Sequence, residues 1–355
     1  MSSEQNPKLP KEFFDPHHHY YDPLNNDFQT SLKKLGVKAF LPEGYQKEVI
    51  DDLQKIGIRT TGSIHLEALP DDGFAEVEWV YDLIKSYNVK MKDEIKGIVA
   101  SVNLSDTDAD AQLQRLMDYD SKNLVKGIRW ILDYAGQYNG NENATHFATT
   151  RIHPDGADLL RDPKYNVAFE RGFALLEQHN LSFDLQCAPE QLQAAAALCT
   201  KYHNTPVCID HLGKPRMVLG AADLSNENVI LDDTALEVWR TGLHAMAKLP
   251  QVYIKISMLG WAVPGWCVKP EREMVLRDLV REVVGMFGVE RCMVASNWHT
   301  NAAASDADFL SDVGPSASVL VSKIASWFQD YHEDDLSLLF ARNAKKFYRV
   351  NETVD

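Results

Sequence analysis

The sequence predicts a single (β/α)8 TIM barrel, with a long loop after the fourth strand and a helical tail at the C-terminus. Three observations carry that prediction. Eight short runs of apolar and β-branched residues alternate with longer stretches that place apolar residues at helical spacing. Polar side chains capable of chemistry stand at the ends of nearly all eight runs, as they do where strand ends open onto one face. No Gly/Pro/Ser-rich linker divides the 355 residues, and no G-x-G-x-x-G or P-loop run follows a strand to favour an open doubly wound sheet.

Residues 1–11 are polar with two prolines and read as a flexible N-terminus, leaving residues 12–350 for the barrel. The first strand is Glu12–Asp15. The second, Gly62–Glu67, precedes a helix over Glu76–Tyr87. The third, Gly97–Val102, precedes Asp108–Tyr119, whose start is marked by Asp106 and Asp108. After the fourth, Leu124–Arg129, the stretch Asp133–Lys164 is rich in Gly, Asn, Asp and Thr and lacks periodicity. Loops of that length are uncommon unless functional or mobile, and this one is expected on the face where a lid would form. A helix over Asn166–His179 leads to the fifth strand, Leu181–Leu185. Pro189–His203, with proline at its head, separates it from the sixth, Pro206–Asp210. Thr234–Lys248, the strand Val252–Ser257 and the helix Glu271–Phe287 follow, then the eighth strand, Cys292–Ser296. The polar loop Thr300–Pro315 and the tail Ala317–Tyr348 complete the pattern.

Hydrophobic residues make up 45% of the chain and charged residues 25%, the balance of an ordinary soluble protein. A net charge of −15 argues against nucleic acid or an anionic membrane as partner. It leaves a small-molecule substrate as the expected partner and a homo-oligomer open. Five cysteines without close pairing suit reduced thiols. With no hydrophobic signal core and no apolar run of membrane-spanning length, the expected location is cytoplasmic.

His17 and His19 stand two apart at the end of the first strand, so both imidazoles can face one spot. Such a pair suits a divalent metal such as zinc, although a solvated polar cluster has the same spelling. The other strand ends supply His65 and Glu67, Arg129, Gln186, His211, Lys255 and Ser257, then Asn297 and His299. Arg129 offers a planar fork for a carboxylate or lactone oxygen, and Lys255 a point charge for the same anion or a carbonyl. A structural ion pair inside the barrel is the alternative for both. Gln186 and Ser257 offer hydrogen bonds to a substrate. For His65 a satisfied core position is at least as good a reading. Asp210 is expected on the face opposite His211, in a supporting role. His146 and His153 fall in the long loop, where solvated positions are the safer reading. Tyr20, Tyr21, Trp130, Trp261, Trp266 and Trp298 either wall a substrate pocket or pack the barrel rim.

Ordered segments spanning almost the whole chain carry a family likeness. They are F-D-P-H-H-H-Y (Phe14–Tyr20), S-I-H-L-E-A-L-P (Ser63–Pro70), V-K-G-I-R-W (Val125–Trp130) and L-S-F-D-L-Q (Leu181–Gln186). C-I-D-H-L-G-K-P (Cys208–Pro215), I-K-I-S (Ile254–Ser257), R-C-M-V-A-S-N (Arg291–Asn297) and Asn343–Tyr348 follow. In these the chain resembles the amidohydrolase superfamily, specifically its lactonase-like branch. The resemblance implies that His17 and His19 are the first-strand metal pair and His211 the sixth-strand ligand. It implies a divalent metal, with zinc the expectation, though members differ in whether they hold one. Where the fuller pattern has a fifth-strand histidine, this chain offers Asp184 or Gln186. The eighth-strand aspartate that accepts the proton of attacking water is here Asn297, and an amide cannot take that proton. The asparagine variant S-N-F-P-V-D keeps a nearby carboxylate, whereas this chain reads Ser296-Asn297-Trp298-His299-Thr300-Asn301. His299 is the expected replacement base, because imidazole titrates near working pH, and Glu67 is the other candidate. The implied activity is opening of a small lactone or cyclic ester by activated water. The alternatives are non-oxidative decarboxylation of an unsaturated or aromatic acid, and a ligand-binding barrel without turnover.

Overall fold

The structure, a computed structural model, describes residues 8–34, 36–86, 95–134, 158–215, 231–263, 265–298 and 315–350. Eight strands follow one another around a single sheet: β1 (Glu12–His18), β2 (Arg59–Leu66), β3 (Ile95–Ser101), β4 (Val125–Arg129), β5 (Ser182–Leu185), β6 (Val207–Ile209), β7 (Val252–Ile256) and β8 (Cys292–Val294). All seven neighbouring pairs are parallel. An isolated parallel bridge between His18 and Trp298 brings the ends of β1 and β8 together, with the His19 amide donating to the Trp298 carbonyl at 2.6 Å. Asp15 supports the same seam by accepting from the Ser296 amide at 3.0 Å and the Tyr45 hydroxyl at 2.8 Å. The expected (β/α)8 barrel is the observed fold.

Burial on both faces explains why these strands read as apolar runs rather than as alternating ones. The first strand extends past its expected end through Pro16 to His18. Proline is tolerated there because the β1–β2 register shifts between Asp15 and His18. The longer outer helices are α1 (Gly73–Ser86), α2 (Ala109–Tyr119), α3 (Pro163–Phe173), α4 (Leu192–Lys201), α5 (Asp233–Ala247), α6 (Pro270–Phe287) and α7 (Ala317–Ser326). α1 can begin against the end of β3 because Gly73 lacks a Cβ, which would stand 1.9 Å from the Ser101 carbonyl oxygen. Between β1 and β2 lie short helices the periodicity did not predict, Thr30–Lys34, Pro42–Tyr45 and Asp51–Lys55, the last two joined by a π-helical turn over Gln46–Ile50.

An apolar cluster fills the lower part of the barrel. Phe14, Ile64, Leu66, Val99, Cys208, Tyr253 and Met293 meet Ala341, Ala344, Phe347 and Tyr348 of the C-terminal helical run. That run ends in α8 (Asn343–Phe347). It closes the end where strands begin: Asn343 donates to the Val289 and Cys292 carbonyls at 2.7 Å each, and Lys345 pairs with Glu12 at 3.4 Å. The expected lid Asp133–Lys164 lies outside the described residues over 135–157, as does the expected loop Thr300–Pro315 over 300–314. His146 and His153 fall in the first of these. No helix among the described residues is long and apolar enough to cross a membrane.

Candidate active site

β1 brings His17 and, just past its end, His19 to the mouth of the barrel. The Nδ1–H of His19 donates to the Leu66 carbonyl at 3.0 Å, an assignment forced by the carbonyl being acceptor only. Its Nε2 therefore carries a bare lone pair, and that atom lies 3.2 Å from Nε2 of His17. Two nitrogens held by one tetrahedral zinc at its usual bond length stand about 3.3 Å apart.

β6 stops at Ile209, and a turn follows in which His211, Leu212 and Lys214 take φ of 56°, 55° and 53°. This left-handed turn, not strand alternation, directs the side chains after β6. It corrects the expectation for Asp210, which faces the cluster together with His211. Asp210 Oδ1 is 3.0 Å from Lys255 Nζ and 3.5 Å from His17 Nδ1, and Oδ2 is 3.6 Å from Arg129 Nη1. The His211 ring centroid is 4.8 Å from that of His17, and its Nδ1 meets the Ser257 hydroxyl at 2.9 Å. One donor atom each from His17, Asp210 and His211 fall within 4.8 Å of one another.

Two cations thread this group. Arg129 is fixed by Glu67, its Nε on the carboxylate at 2.8 Å and its Nη2 on the main-chain carbonyl at 2.7 Å. Nη1 keeps only long contacts, 3.4 Å to Gln186 Oε1 and 3.4 Å to His17 Nε2. Lys255 contacts Asp184 and Asp210 and approaches His17 Nδ1 at 3.3 Å. Behind them Asp133 receives Gln186 at 3.2 Å and Lys214 at 2.5 Å.

Burial, then the Lys255 ammonium, holds His17 well below the ordinary imidazole range. Burial does the same to His211, and lowers His19 to about 3 with help from Arg129. Burial opposes ionisation of Asp210, but Lys255 and His17 outweigh it and keep the carboxyl well below its usual value. Asp184, desolvated and beside Asp210, is pushed upward despite Lys255. Lys255 is raised, because its two carboxylates outweigh burial, so it is an ammonium donor and not a base.

These residues fit a zinc-like ion. The histidines are neutral, and Asp210 is ionised, its oxygens meeting Lys255 and Arg129 as ion pairs rather than in aligned hydrogen bonds. His17 has a choice of tautomer. With its proton on Nδ1, toward Asp210, Nε2 is free to ligate beside His19; with its proton on Nε2, Nδ1 accepts from Lys255.

The remaining expectations distribute as follows. His65 is a core histidine between barrel and helices: it accepts the Tyr20 amide at 3.2 Å and lies 3.9 Å from Glu76. Glu67 accepts from both Arg129 and the Leu69 amide, the latter at 2.9 Å. Trp298 is buried, its indole N–H on Glu48 at 2.9 Å. Trp130 lines a polar groove of about 370 Å³ with Ser101, Asn103 and Phe74, which shares no residue with the charged cluster. Asn297 is buried beside the seam with φ of 52°. His299 lies outside the described residues. Sequence reasoning did not assign Asp133, Lys214 or Tyr348. Lys214 belongs to the D-H-L-G-K-P run, which was the available signal.

Residues 14–350 match the family model described as Amidohydrolase. The chain belongs to the amidohydrolase family. An uncharacterized protein of Sinorhizobium fredii, y4mH, is 22% identical over 95% of this chain and 98% of its own length. An L-fucono-1,5-lactonase of Burkholderia multivorans is 29% identical over 39% of this chain and 45% of that enzyme. Among solved structures, an amidohydrolase from Burkholderia multivorans with bound zinc superposes with a TM-score of 0.67 at 19% identity, covering 96% of this chain and 99% of that one. A probable 2-pyrone-4,6-dicarboxylic acid hydrolase from Acinetobacter baumannii gives 0.59 at 14% identity, covering 95% and 99%. At these identities the structural likeness speaks to the fold.

Proposed function

We propose that this amidohydrolase opens a small lactone or related cyclic ester with activated water. The observation that carries the reading is the convergence, at one strand-end mouth, of the His17–His19 nitrogen pair with Arg129 Nη1, a charged donor not yet committed to a short hydrogen bond. The partial match to an L-fucono-1,5-lactonase supports the ester substrate class.

His17, His19, His211 and Asp210 are the residues that would hold a zinc-like ion. Such an ion, when bound, polarises a carbonyl and lowers the pKa of water. The chain's own groups do the rest. Glu67 locks Arg129 by two of its nitrogens, so Nη1 is aimed before substrate arrives, and it stabilises the oxyanion that develops on ring opening. Lys255, as an ammonium, holds Asp210 and the His17 ring in place. Gln186 and Ser257 orient polar groups of the substrate. Proton acceptance from water falls to His299, because both oxygens of Glu67 are already engaged.

The test is proton release from a panel of aldono-1,5-lactones and pyrone carboxylates, with carbon dioxide followed in parallel. Turnover that falls by at least about 10²-fold in both Arg129→Met and His299→Ala is expected. Carbon dioxide evolution without ester cleavage would move the reading to the decarboxylase. Ligand binding with no product of either kind would point to a barrel without turnover.

A further inference from the structure

The C-terminal helical run does more than close the floor of the barrel. Its last turn presents Tyr348, fully buried, whose hydroxyl donates to Asp184 Oδ1 at 2.6 Å. The same oxygen receives the Lys255 ammonium, while Asp184 Oδ2 has no hydrogen bond. The ammonium also stands 5.5 Å from the centroid of the Tyr348 ring, within the range of cation–π attraction. Thus one carboxylate oxygen is shared by a donor from the floor and a donor from the site.

We propose that Tyr348 is a positioning residue that sets the Lys255 ammonium from beneath, through Asp184. The geometry runs in three steps. Tyr348 holds Asp184 Oδ1 in one orientation. That oxygen and Asp210 fix Lys255 Nζ between them, with 3.0 Å to Asp210 Oδ1. Lys255 Nζ then lies 3.3 Å from His17 Nδ1, on the edge of the charged mouth. Without the phenol hydroxyl, Asp184 is free to rotate its unbonded oxygen toward the ammonium, and Lys255 redistributes among Asp184, Asp210 and His17. A residue near the end of the barrel sequence so reaches the chemistry without touching substrate. The inference rests on placing Lys255 and His17 in the active site.

A packing role alone would need only the ring, which also meets Phe347 at a centroid distance of 4.8 Å. Tyr348→Phe keeps the ring and removes the hydroxyl, so it separates the two roles. The readout is nitrogen NMR of the full chain labelled at lysine, with the Lys255 signal assigned through Lys255→Met. In folded Tyr348→Phe we expect the Lys255 ammonium signal to shift and its hydrogens to exchange about tenfold faster, the factor one ordinary hydrogen bond supplies. An unchanged Lys255 signal in that folded variant would overturn the proposal. Asp184→Asn, which keeps the shape and one acceptor oxygen but not the charge, provides the second arm. The same signal should move, and its constancy in a folded protein would equally overturn it. No substrate is needed, so an absence of lactone turnover in the wild type would count against the proposed function and not against this positioning role.

Discussion

His17 and His18 are consecutive, equally buried and both held in the neutral form, yet they stand on opposite sides of the barrel wall. His17 faces the mouth, among His19, His211, Asp210, Arg129 and Lys255. His18 faces the helices, with Nε2 on the Ser63 hydroxyl at 3.0 Å and the Tyr20 and Tyr45 rings at 4.5 and 4.6 Å. A single step along β1 separates the charged mouth from aromatic packing. Neither burial nor a depressed pKa distinguishes the two residues, because desolvation imposes both on each. What distinguishes them is the partners: charged groups of both signs converging on one point, against a hydroxyl and aromatic rings.

The largest way to disturb the mouth is to remove its central cation. Lys255→Met leaves Asp184 and Asp210 buried without their shared counter-charge and is expected to destabilise the fold by about 3–5 kcal/mol. Urea unfolding followed by circular dichroism measures this; a loss below about 1 kcal/mol would mean the pairs contribute little.

Exchanging the two histidines in turn tests the division itself. His17→Ala should cost at least about 10²-fold in kcat/KM for whichever substrate the wild type turns over. His18→Gln should leave kcat/KM of the folded protein nearly intact while lowering stability by about 1–3 kcal/mol, because the buried ring's packing on Tyr20 and Tyr45 and its bond to Ser63 are disturbed. If the two variants showed the same profile, the wall would not be the boundary drawn here.

Acid removes a stabilisation common to both sides. His65 and His19 are lowered to about 3 by burial, with His17, His18 and His211 also depressed, so the folded chain keeps these rings neutral. The unfolded chain protonates them below about pH 6.5 and so binds more protons there. Stability is full above that pH and falls as pH drops toward 3, by about 1.4 kcal/mol per pH unit for each such histidine. The urea midpoint at pH 7 and pH 5.5 should therefore decrease steeply, and His65→Gln should flatten the slope. A midpoint independent of pH would contradict the buried neutral assignment.

The smallest effect is expected on the outer side. Ser63→Ala removes the one hydroxyl that pairs with His18 and should cost about 1 kcal/mol, with turnover unchanged. A substantial loss of turnover would connect the packing side of the wall to the site.

The eight strands were legible because parallel strands buried on both faces are spelled as short apolar runs, and most side chains of the charged mouth because they terminate those runs. His17 and His19 followed from the period of two. Asp210 did not, because the chain leaves β6 at Ile209 and enters a left-handed turn where the strand period no longer applies. Tyr348 was out of reach for a different reason: its partner Asp184 is 164 residues away, and only the closed barrel brings them together. The short helices between β1 and β2 were hidden by their length and by Pro42 and Gly44, which interrupt any periodic signal. His65 illustrates the converse case. Its sequence spacing from Glu67 allowed a shared face, but its partners are the Tyr20 amide and Glu76 rather than the charged mouth.

The most direct test is metal content in protein purified without a histidine tag, compared among wild type, Ser63→Ala and the double variant His17→Ala/His19→Ala. The mouth side of β1 predicts about one zinc per chain in the first two and none in the double variant. Folded wild type without metal, or a double variant that retains it, would contradict the assignment of His17 and His19 to a metal centre.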